Sequence, residues 1–350
     1  MTSEIPTLRW GIIATGLISS WFVADLSLDR PNKRANHIIQ AIGSSSADKG
    51  HAFVNTHLPG KSPTVYGTYE QVYQDPDVDI VYIGTPHAFH KQNCLDAIRA
   101  GKHVLCEKAF AITRAEAKEV LDEAQRKGVF VMEAMWTRFF PLVLKLQDLL
   151  HGEKVIGDVH RVFCDFAMPK DIASLPSTSR HRNPALGAGT LLDTGIYSLT
   201  WAILGLESGP QDQQPTIIAS QNLCEGIDIA TSVIMTYPDG RQGIVTSSNL
   251  ARTLPAFCRI EGSKGYVVVE GFVASVPSLF TVHLQDQEPK KYEFEKPGKG
   301  FYWEADSVAL DIAAGKTQSD VMPWRETLRV MGLMDQIRQQ GGARFPQDQE

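Results

Sequence analysis

A lysine and a tyrosine occupy positions from which they could act on a substrate hydroxyl. Glu107 and Lys108 directly follow the apolar run His103–Cys106, which predicts a buried strand that ends beside them. Open α/β sheets bind their ligands at the carboxyl ends of the strands, and a lysine there can donate a hydrogen bond or stabilise an alkoxide. Because an arbitrary lysine is more often a solvated surface residue, the position of Lys108 carries this hypothesis.

The tyrosine follows an acid by four residues. Asp193 and Tyr197 lie in a segment that begins with small residues and continues with the pattern of an apolar helix, so both are predicted on one helix face. Tyr197 could accept the hydroxyl proton as hydride leaves, provided that a nearby cation lowers the pKa of the phenol from about 10. The alternative is a core tyrosine whose hydroxyl is satisfied by the protein.

The segment from Trp10 to Ser19 has the pattern of a dinucleotide-binding turn between a strand and a helix. Gly16 meets one of the three glycine positions of G-x-G-x-x-G, and Ala14 and Ser19 stand at the other two. Small residues let the backbone approach a pyrophosphate, and the helix N-terminus behind them supplies N–H donors. Taken alone, the motif also fits a tight turn without a ligand. The residues expected to contact the nucleotide here are Ala14, Gly16, Leu17 and Ile18.

The end of the second predicted strand bears on the choice between NAD and NADP. An NAD site usually has an acid there that accepts from the ribose 2′-hydroxyl, whereas Ile38–Ile42 is followed by a glycine and three serines. Hydroxyl groups and a lysine can bind a 2′-phosphate instead, although Asp48 partly offsets the lysine. The sequence therefore predicts NADP, with a polar connecting loop as the alternative. The residues expected to bind the phosphate are Ser44, Ser45, Ser46 and Lys49.

The elements that position these residues form two groups, of which the first covers residues 1–135. Short apolar runs alternate there with amphipathic segments, which indicates βαβ units under a parallel sheet. Thr113 and Glu116 form a predicted capping box before the helix Arg114–Lys127, and Gly128 suits its C-cap. A second helix is expected over Ala88–Ala100. The predicted strands are Trp10–Ile13, Ile38–Ile42, Ile80–Ile83, Val104–Cys106 and Val129–Met132.

Residues 136–350 read as a second domain for substrate binding and dimerisation. Alternating strand patterns in these residues predict a mostly antiparallel sheet with helices on one face. The predicted fold class of the whole chain is therefore α/β, with a doubly wound Rossmann domain followed by an α+β domain with an open sheet. The long polar loop from Lys170 to Gly189 is a candidate for function. We expect a homodimer through the open sheet face, which the pattern assigns to Val233, Met235, Ile244 and Val245. The predicted strands are Asp158–Phe166, Thr231–Tyr237, Gly243–Ser248, Cys258–Glu261 and Tyr266–Glu270, and the predicted helices are Gly189–Leu204, Ala305–Ala314 and Arg325–Gln339.

Length and composition restrict the class of protein. A chain of 350 residues fits two domains, and a net charge of −6 offers no basic field for nucleic acid. Five scattered cysteines without C-x-x-C pairs are typical of reduced thiols in an intracellular protein. No metal is expected, because His87 and His90 have no carboxylate or cysteine at ligand spacing. Glu4 and Pro6 stand where a signal peptide needs an apolar core. No run approaches the roughly 20 apolar residues of a membrane span. We therefore expect a cytoplasmic protein without a membrane partner.

These motifs together resemble the glucose–fructose oxidoreductase, inositol dehydrogenase and MocA-like family over nearly the whole chain. The Trp-Thr-Arg-Phe-Phe-Pro run is similar to the branch of dimeric dihydrodiol dehydrogenases and NADP-dependent D-xylose dehydrogenases. The resemblance rests on Arg9-Trp10-Gly11 with Gly16-Leu17-Ile18-Ser19, Tyr82-Ile83-Gly84-Thr85-Pro86 with His90, Cys106-Glu107-Lys108, the run from Glu133 to Pro141, Leu192-Asp193-Thr194-Gly195-Ile196-Tyr197, and Phe345-Pro346-Gln347-Asp348.

The resemblance implies NADP-dependent oxidation of a ring hydroxyl, on an aldose such as D-xylose to its lactone or on a trans-dihydrodiol. It makes Tyr197 the acid/base and Lys108 its electrostatic partner, with Asp193 in support. The sequence departs from the family at Ala109, where proline is usual, and relatives tend to use an arginine near Ser45. Implied substrate contacts are Trp136, Phe166, Arg182 and Tyr197, and implied further cofactor contacts are Thr85, Pro86, His90, Glu107, Lys108, Trp136 and Arg138.

One other function, and one other role for two residues, stay open at this point. A regulator that senses NADP on a dehydrogenase fold without turnover is the alternative, although it would not need both Lys108 and Tyr197. For Trp136 and Arg138, an aromatic wall and a guanidinium at the domain crossover fit interdomain packing as well as a substrate pocket.

Overall fold

The computed structural model describes residues 5–209 and 214–349, which form two compact units. The first unit contains the described residues up to Phe139 together with Lys296–Leu328. The second contains the described residues between Phe140 and Glu295 and those from Arg329 onward. The change of unit near residue 139 lies close to the predicted boundary at 135, but residues 296–328 belong to the first unit and not to the second.

A six-stranded parallel sheet forms the centre of the first unit. Its strand order is β3-β2-β1-β4-β5-β6. Strands β1 to β3 are added toward one edge of the sheet and β4 to β6 toward the other, as in a doubly wound nucleotide-binding fold. The central strands are continuous apolar runs because helices cover both faces of such sheets. The strands are β1 (Thr7–Ile13), β2 (Asn36–Gly43), β3 (Thr64–Tyr66), β4 (Ile80–Ile83), β5 (His103–Glu107) and β6 (Val131–Ala134).

The first five helices connect these strands. The predicted cap of the fifth is confirmed, because the Glu116 backbone N–H donates to Thr113 Oγ1 at 3.2 Å and Gly128 ends the helix at φ +67°. Two single 3-10 turns, His87–Phe89 and Trp136–Phe139, follow β4 and β6. The helices are α1 (Leu17–Leu26), α2 (Ala47–His57), α3 (Tyr69–Gln74), α4 (His90–Arg99) and α5 (Arg114–Lys127).

The second unit contains an eight-stranded sheet of order β14-β13-β12-β11-β7-β10-β9-β8. All neighbouring strands pair antiparallel except β7 and β10, which are parallel. The predicted fold class, a Rossmann sheet with a mostly antiparallel second sheet, is thereby confirmed. The strands are β7 (Val159–Ala167), β8 (Thr216–Cys224), β9 (Ile227–Thr236), β10 (Gln242–Ser248), β11 (Ala256–Gly262), β12 (Gly265–Val273), β13 (Val276–Leu284) and β14 (Lys290–Glu293).

Helix α7 (Ile196–Leu206) packs on β7 and β10 and covers one face of this sheet, while α6 (Pro141–Gln147) packs against β13. The prediction for the open face was wrong for Val233, Met235 and Val245, which are buried on the α7 side of the sheet. Because side chains alternate along a strand, Ile244 points to the other face with its register partners Ile234 and Ile218, which are 41% and 62% exposed.

Helix α8 (Phe301–Ala313) belongs to the first unit, where it packs against α1. Its N-terminus is satisfied by Asp25, whose carboxylate accepts the backbone N–H groups of Gly300 and Phe301 at 2.6 and 2.9 Å. Such a carboxylate stabilises a helix start through hydrogen bonds and the helix dipole. The last helix, α9, spans Trp324–Gly341. Among the described helices, none is long and apolar enough to cross a membrane.

Candidate functional site

The predicted nucleotide-binding residues of the first unit lie in loops at one edge of the sheet. In register, Ile13 of β1 lies beside Gly43 of β2 and Ile83 of β4, so these three strands end together. Hydrogen bonds continue past the strands: the Ala14 N–H donates to the Gly43 carbonyl, and the Gly84 N–H donates to the Ile13 carbonyl, each at 3.1 Å. This edge lies at the point where the strand order reverses, which is where such sheets bind ligands.

The turn between β1 and α1 leaves its backbone open to a ligand. Ala14 has φ +74°, the left-handed region that favours glycine, which explains why the motif has glycine at this position. Gly16 caps α1 without a side-chain hydrogen bond, and an added Cβ would meet nothing within 4 Å. Leu17 is 67% exposed beside it. The N–H groups of the first turn of α1 are thus available to a pyrophosphate, so the residues present fit a dinucleotide.

Ser19 contributes close packing at this turn. It is fully buried, and its Oγ makes no hydrogen bond to any residue that the structure describes. A Cβ at Gly84 would collide with that oxygen, so the absence of a side chain at Gly84 lets α1 approach the end of β4. Ser19 and Gly84 together provide the close packing that the third glycine of the motif normally allows.

The three serines after β2 have different partners. Ser44 is buried, with its Oγ 3.3 Å from Thr15 Oγ1. Ser46 caps α2 by accepting the Lys49 backbone N–H at 3.3 Å. Ser45 is more exposed, and its Oγ accepts from Lys49 Nζ at 3.1 Å. An ammonium beside a hydroxyl at the end of β2 is a donor set suited to a phosphate, because both groups can donate to phosphate oxygens.

His90 connects two loops of this edge. It is fully buried, and its ring nitrogens lie 2.8 Å from the Thr85 carbonyl oxygen and 2.9 Å from that of Ala109. Burial lowers the pKa of His90 to about 4, so the ring is neutral and donates to one of the two carbonyls. The sequence expectation was a cofactor contact, whereas the geometry makes His90 a positioning residue for the loop that begins with Lys108. The peptide bond between Lys108 and Ala109 is cis.

Buried acidic groups lie at the end of β5, the strand that precedes Lys108. Tyr82 donates to Glu107 Oε1 at 2.6 Å, and both side chains are buried. Glu304 of α8 is fully buried, and neither of its carboxyl oxygens has a hydrogen-bond partner among the described residues. Burial, and then the nearby Glu107, raises the pKa of Glu304 well above its usual value, which favours the protonated form. Sequence reasoning missed Glu304, which lies in a different part of the chain.

Trp136 and Arg138 are occupied by partners in their own unit. The Trp136 ring stacks on Phe301 with centroids 4.1 Å apart. Arg138 is buried, and its guanidinium donates to Glu326 Oε1 at 2.6 Å. The expected cofactor contact by Arg138 therefore has a competing role, a buried ion pair inside the first unit. Nearby Glu133 accepts the Phe110 N–H at 3.2 Å, and burial raises its pKa to about 7.

In the second unit, Tyr197 lies at the start of α7, just after a π-helical turn that carries Asp193. Tyr197 is buried, and its ring centroid is 5.6 Å from that of Phe166, so the structure brings these two predicted residues together. The start of this segment is held by Asp228, whose Oδ2 accepts from Thr190 Oγ1 and from the Leu191 N–H, each at 2.7 Å.

Three basic side chains gather near Asp193. Arg180 Nη1 lies 3.6 Å from Asp193 Oδ1, and His181 Nδ1 lies 3.6 Å from Asp193 Oδ2. Lys170 Nζ is 3.0 Å from the same His181 nitrogen. We call these four residues the Asp193 cluster. The polar loop that carries the three basic residues was a candidate in the sequence, but nothing in its pattern singles them out.

Arg182, the predicted substrate contact from the same loop, has other partners. Its guanidinium binds both carboxylate oxygens of Glu225, at 2.6 and 2.8 Å, and it donates to the carbonyls of Ala173 and Leu175. These bonds hold the loop in place. The structure therefore assigns Arg182 a structural role and does not place it in the Asp193 cluster.

Comparison with known proteins agrees with this architecture. Residues 8–135 match the oxidoreductase family with an NAD-binding Rossmann fold, and residues 143–268 match the GFO/IDH/MocA C-terminal domain. The chain is 36% identical to D-xylose 1-dehydrogenase (NADP(+)) of Hypocrea jecorina, over 99% of this chain and 95% of that protein. It is 33% identical to trans-1,2-dihydrobenzene-1,2-diol dehydrogenase of Sus scrofa, over 97% and 99%.

A solved structure extends the likeness of the fold. The aldose-aldose oxidoreductase from Caulobacter crescentus, complexed with glycerol, superposes with a TM-score of 0.81 at 21% identity and covers 96% of this chain and 98% of that one. The first unit is an NAD(P)-binding Rossmann fold, and both halves of the chain match the two domains of one family. The chain therefore belongs to the GFO/IDH/MocA family of oxidoreductases.

Proposed function

We propose that the protein is an NADP-dependent dehydrogenase that oxidises a ring hydroxyl of an aldose such as D-xylose, to the lactone, or of a trans-dihydrodiol. The observation that carries the proposal is the position of Lys108 directly after β5, at the sheet edge that also holds the open turn at Gly16 and the Ser45–Lys49 pair. The two substrate classes come from the names of the relatives that share about a third of the sequence.

The proposed roles follow from the chemistry of each side chain. NADP⁺, when bound, supplies the hydride acceptor. Tyr197 takes the hydroxyl proton at its phenol oxygen, and Lys108 contributes a positive charge that stabilises the oxygen losing the proton. Asp193 lies one helical turn before Tyr197 and supports it. The resemblance to the family also implies substrate contacts by Trp136 and by Phe166, and Phe166 lies beside Tyr197.

The catalytic assignment is tested with Tyr197→Phe. A general acid/base group contributes about 10² to 10⁴ in rate, so kcat should fall by at least about 100-fold while NADP⁺ affinity stays unchanged. Lys108→Met should be at least as harmful, and the double variant should lose little more than either single one if both act in one step. Tyr266→Phe, at a half-exposed tyrosine of β12, is the matched control.

Retention of more than about a tenth of wild-type kcat in Tyr197→Phe would show that Tyr197 is not the base. A screen of aldoses, polyols and dihydrodiols with NADP⁺ decides between the enzyme and the NADP-sensing regulator. Tight NADP⁺ binding without turnover of any compound would favour the regulator.

The preference for NADP is a separate part of the proposal. Lys49 and Ser45 provide the charge and the hydroxyl that a 2′-phosphate requires, and Lys49→Ala should lower the ratio of kcat/KM for NADP⁺ over NAD⁺ by about tenfold. Lys118→Ala, at an exposed lysine of α5, is the control. Equal use of both cofactors by the wild type contradicts the preference.

The quaternary proposal is a homodimer formed through the face of the second sheet that α7 does not cover. Register places Phe163, Ile244, Ile234 and Ile218 in one row across β7, β10, β9 and β8. Two of these isoleucines are substantially exposed, and an apolar row of this kind on a sheet favours burial against a second copy.

A further inference from the structure

The Asp193 cluster has more positive than negative charge. We propose that Lys170 and Arg180 form a subsite for an anionic substituent, a carboxylate or a phosphate, on the sugar that this enzyme oxidises. The inference rests on the proposed function, because it assigns the charge of the substrate and not the reaction. It predicts that anionic sugars bind better than the neutral sugars with the same ring.

The charge of the cluster follows from its hydrogen bonds. The 3.0 Å contact between Lys170 Nζ and His181 Nδ1 needs a proton between the two nitrogens, and with Lys170 as the donor this pair carries one positive charge. Lys170 and Arg180 then carry two positive charges, and Asp193 carries one negative charge. The cluster therefore has a net charge of about +1 by this count of ionised groups.

The Arg180 guanidinium is the member of the cluster with N–H donors available to a ligand. Among the described residues, Lys170 Nζ donates to His181, and the Arg180 guanidinium makes no hydrogen bond. Its ion-pair contact with Asp193, at 3.6 Å, is longer than a hydrogen bond. A guanidinium has five N–H donors in a fork that matches two oxygens of a carboxylate or phosphate, so Arg180 has donors available to a ligand.

Burial gives an anion a reason to bind here. Burial lowers the pKa of Lys170, with the Arg180 charge adding to the effect and Asp193 opposing it. A partly desolvated ammonium is costly unless a negative charge compensates it. An anionic substituent would restore the lost solvation of Lys170 and would pair with Arg180 at the same time.

The position of the cluster links this subsite to the reaction. Asp193 is the only residue between Ala188 and Leu206 that is not buried, so its carboxylate is the accessible part of the segment that also carries Tyr197. The contrast with Arg182 supports the assignment, because Arg182 is bound bidentately by Glu225 and has the loop carbonyls as further partners. Two arginines two residues apart thus have different roles.

The test compares D-glucose, D-glucuronate and D-glucose 6-phosphate, which share a ring and differ in charge. Dissociation constants for the full chain are measured by isothermal titration at low salt, and kcat/KM is measured separately with NADP⁺. At least one anionic sugar should bind about tenfold more tightly than D-glucose, since charge-assisted hydrogen bonds are the strong ones. The tighter of the two identifies the substituent as a carboxylate or a phosphate.

Lys170→Gln and Arg180→Gln should each weaken the anionic sugar by about tenfold and change D-glucose by less than about twofold. Arg180 is half-exposed, so its replacement should not disturb folding, and Lys264→Met in the exposed turn after β11 is the charge-matched control. Equal affinity for charged and neutral sugars, or equal weakening of both in the variants, overturns the subsite.

The outcomes separate the two proposals. Turnover of neutral sugars without discrimination by charge would leave the dehydrogenase function intact and remove the subsite. Charge-dependent binding that disappears in Lys170→Gln and Arg180→Gln, without turnover of any sugar or dihydrodiol, would support the subsite and overturn the proposed reaction.

Discussion

Asp228 of β9 should determine the stability of the segment that carries Asp193 and Tyr197. Its carboxylate is buried and accepts three hydrogen bonds at one oxygen, from Thr190 Oγ1, the Leu191 N–H and Thr231 Oγ1, at 2.7, 2.7 and 2.8 Å. The first two lie at the start of the π-helical turn before α7. Asp228→Ala removes the common acceptor and leaves three buried donors without it.

The expected cost can be worked out from these contacts. Hydrogen bonds to a charged group contribute about 1.5–3 kcal/mol each, but burial raises the pKa of Asp228 and so offsets part of that gain. Removal of one partner from a buried charged network typically costs about 3–5 kcal/mol. Asp228→Asn keeps an acceptor for Leu191, while the threonine hydroxyls can rotate, so about 1–2 kcal/mol is expected.

Urea unfolding at pH 7 gives the free energy of unfolding, and kcat reports the effect on the Tyr197 segment. Both should fall in the order wild type, Asp228→Asn, Asp228→Ala. Asp158→Ala removes an exposed aspartate whose ion pair with Lys154 is at the surface, and it should change stability by less than about 1 kcal/mol. An Asp228→Ala protein within about 1 kcal/mol of the wild type would refute the reasoning.

Three further predictions concern other parts of the chain. The pKa of Glu133 is about 7 in the fold and 4.5 as a free group, so its contribution to stability is present below pH 4.5 and is lost as the pH rises through 7. Over this range the free energy of unfolding of the wild type should fall by about 3 kcal/mol relative to that of Glu133→Gln. Parallel pH curves of the two proteins in urea unfolding would contradict this. At the left-handed Ala14, glycine should be tolerated and valine should cost at least about 1 kcal/mol, so equal melting temperatures of the two variants would exclude strain there. Ile234→Lys should convert the proposed dimer into a monomer in sedimentation at micromolar concentration. The control Ile38→Lys, at an exposed residue of the first unit, should leave the dimer intact. A monomeric wild type would contradict the proposal.

The Rossmann half was predictable because its signals are local. Strands such as Ile80–Ile83 are buried on both faces and therefore appear as unbroken apolar runs, and α5 is bounded by a capping threonine and a left-handed glycine. By contrast, β3 has only three residues, too few to show a period, and β8 is an edge strand with many exposed positions. Neither strand was predicted.

The face assignment of the second sheet failed for a different reason. Alternation along β9 separates Val233 and Met235 from Ile234 correctly, but it does not say which of the two faces α7 covers. That choice depends on packing between segments distant in the sequence. The same limit applies to the loop between β7 and α7, where Glu225, 43 residues away, decides that Arg182 and not Arg180 is structural.

Burial and a common neighbour act on two acidic groups close to the end of β5, the strand that precedes Lys108. Glu107 is a cause of the raised pKa of both Tyr82 and Glu304, after burial in each case, so both groups favour their protonated forms. In the proposed reaction Lys108 contributes a positive charge, and the proton of the substrate hydroxyl passes to Tyr197.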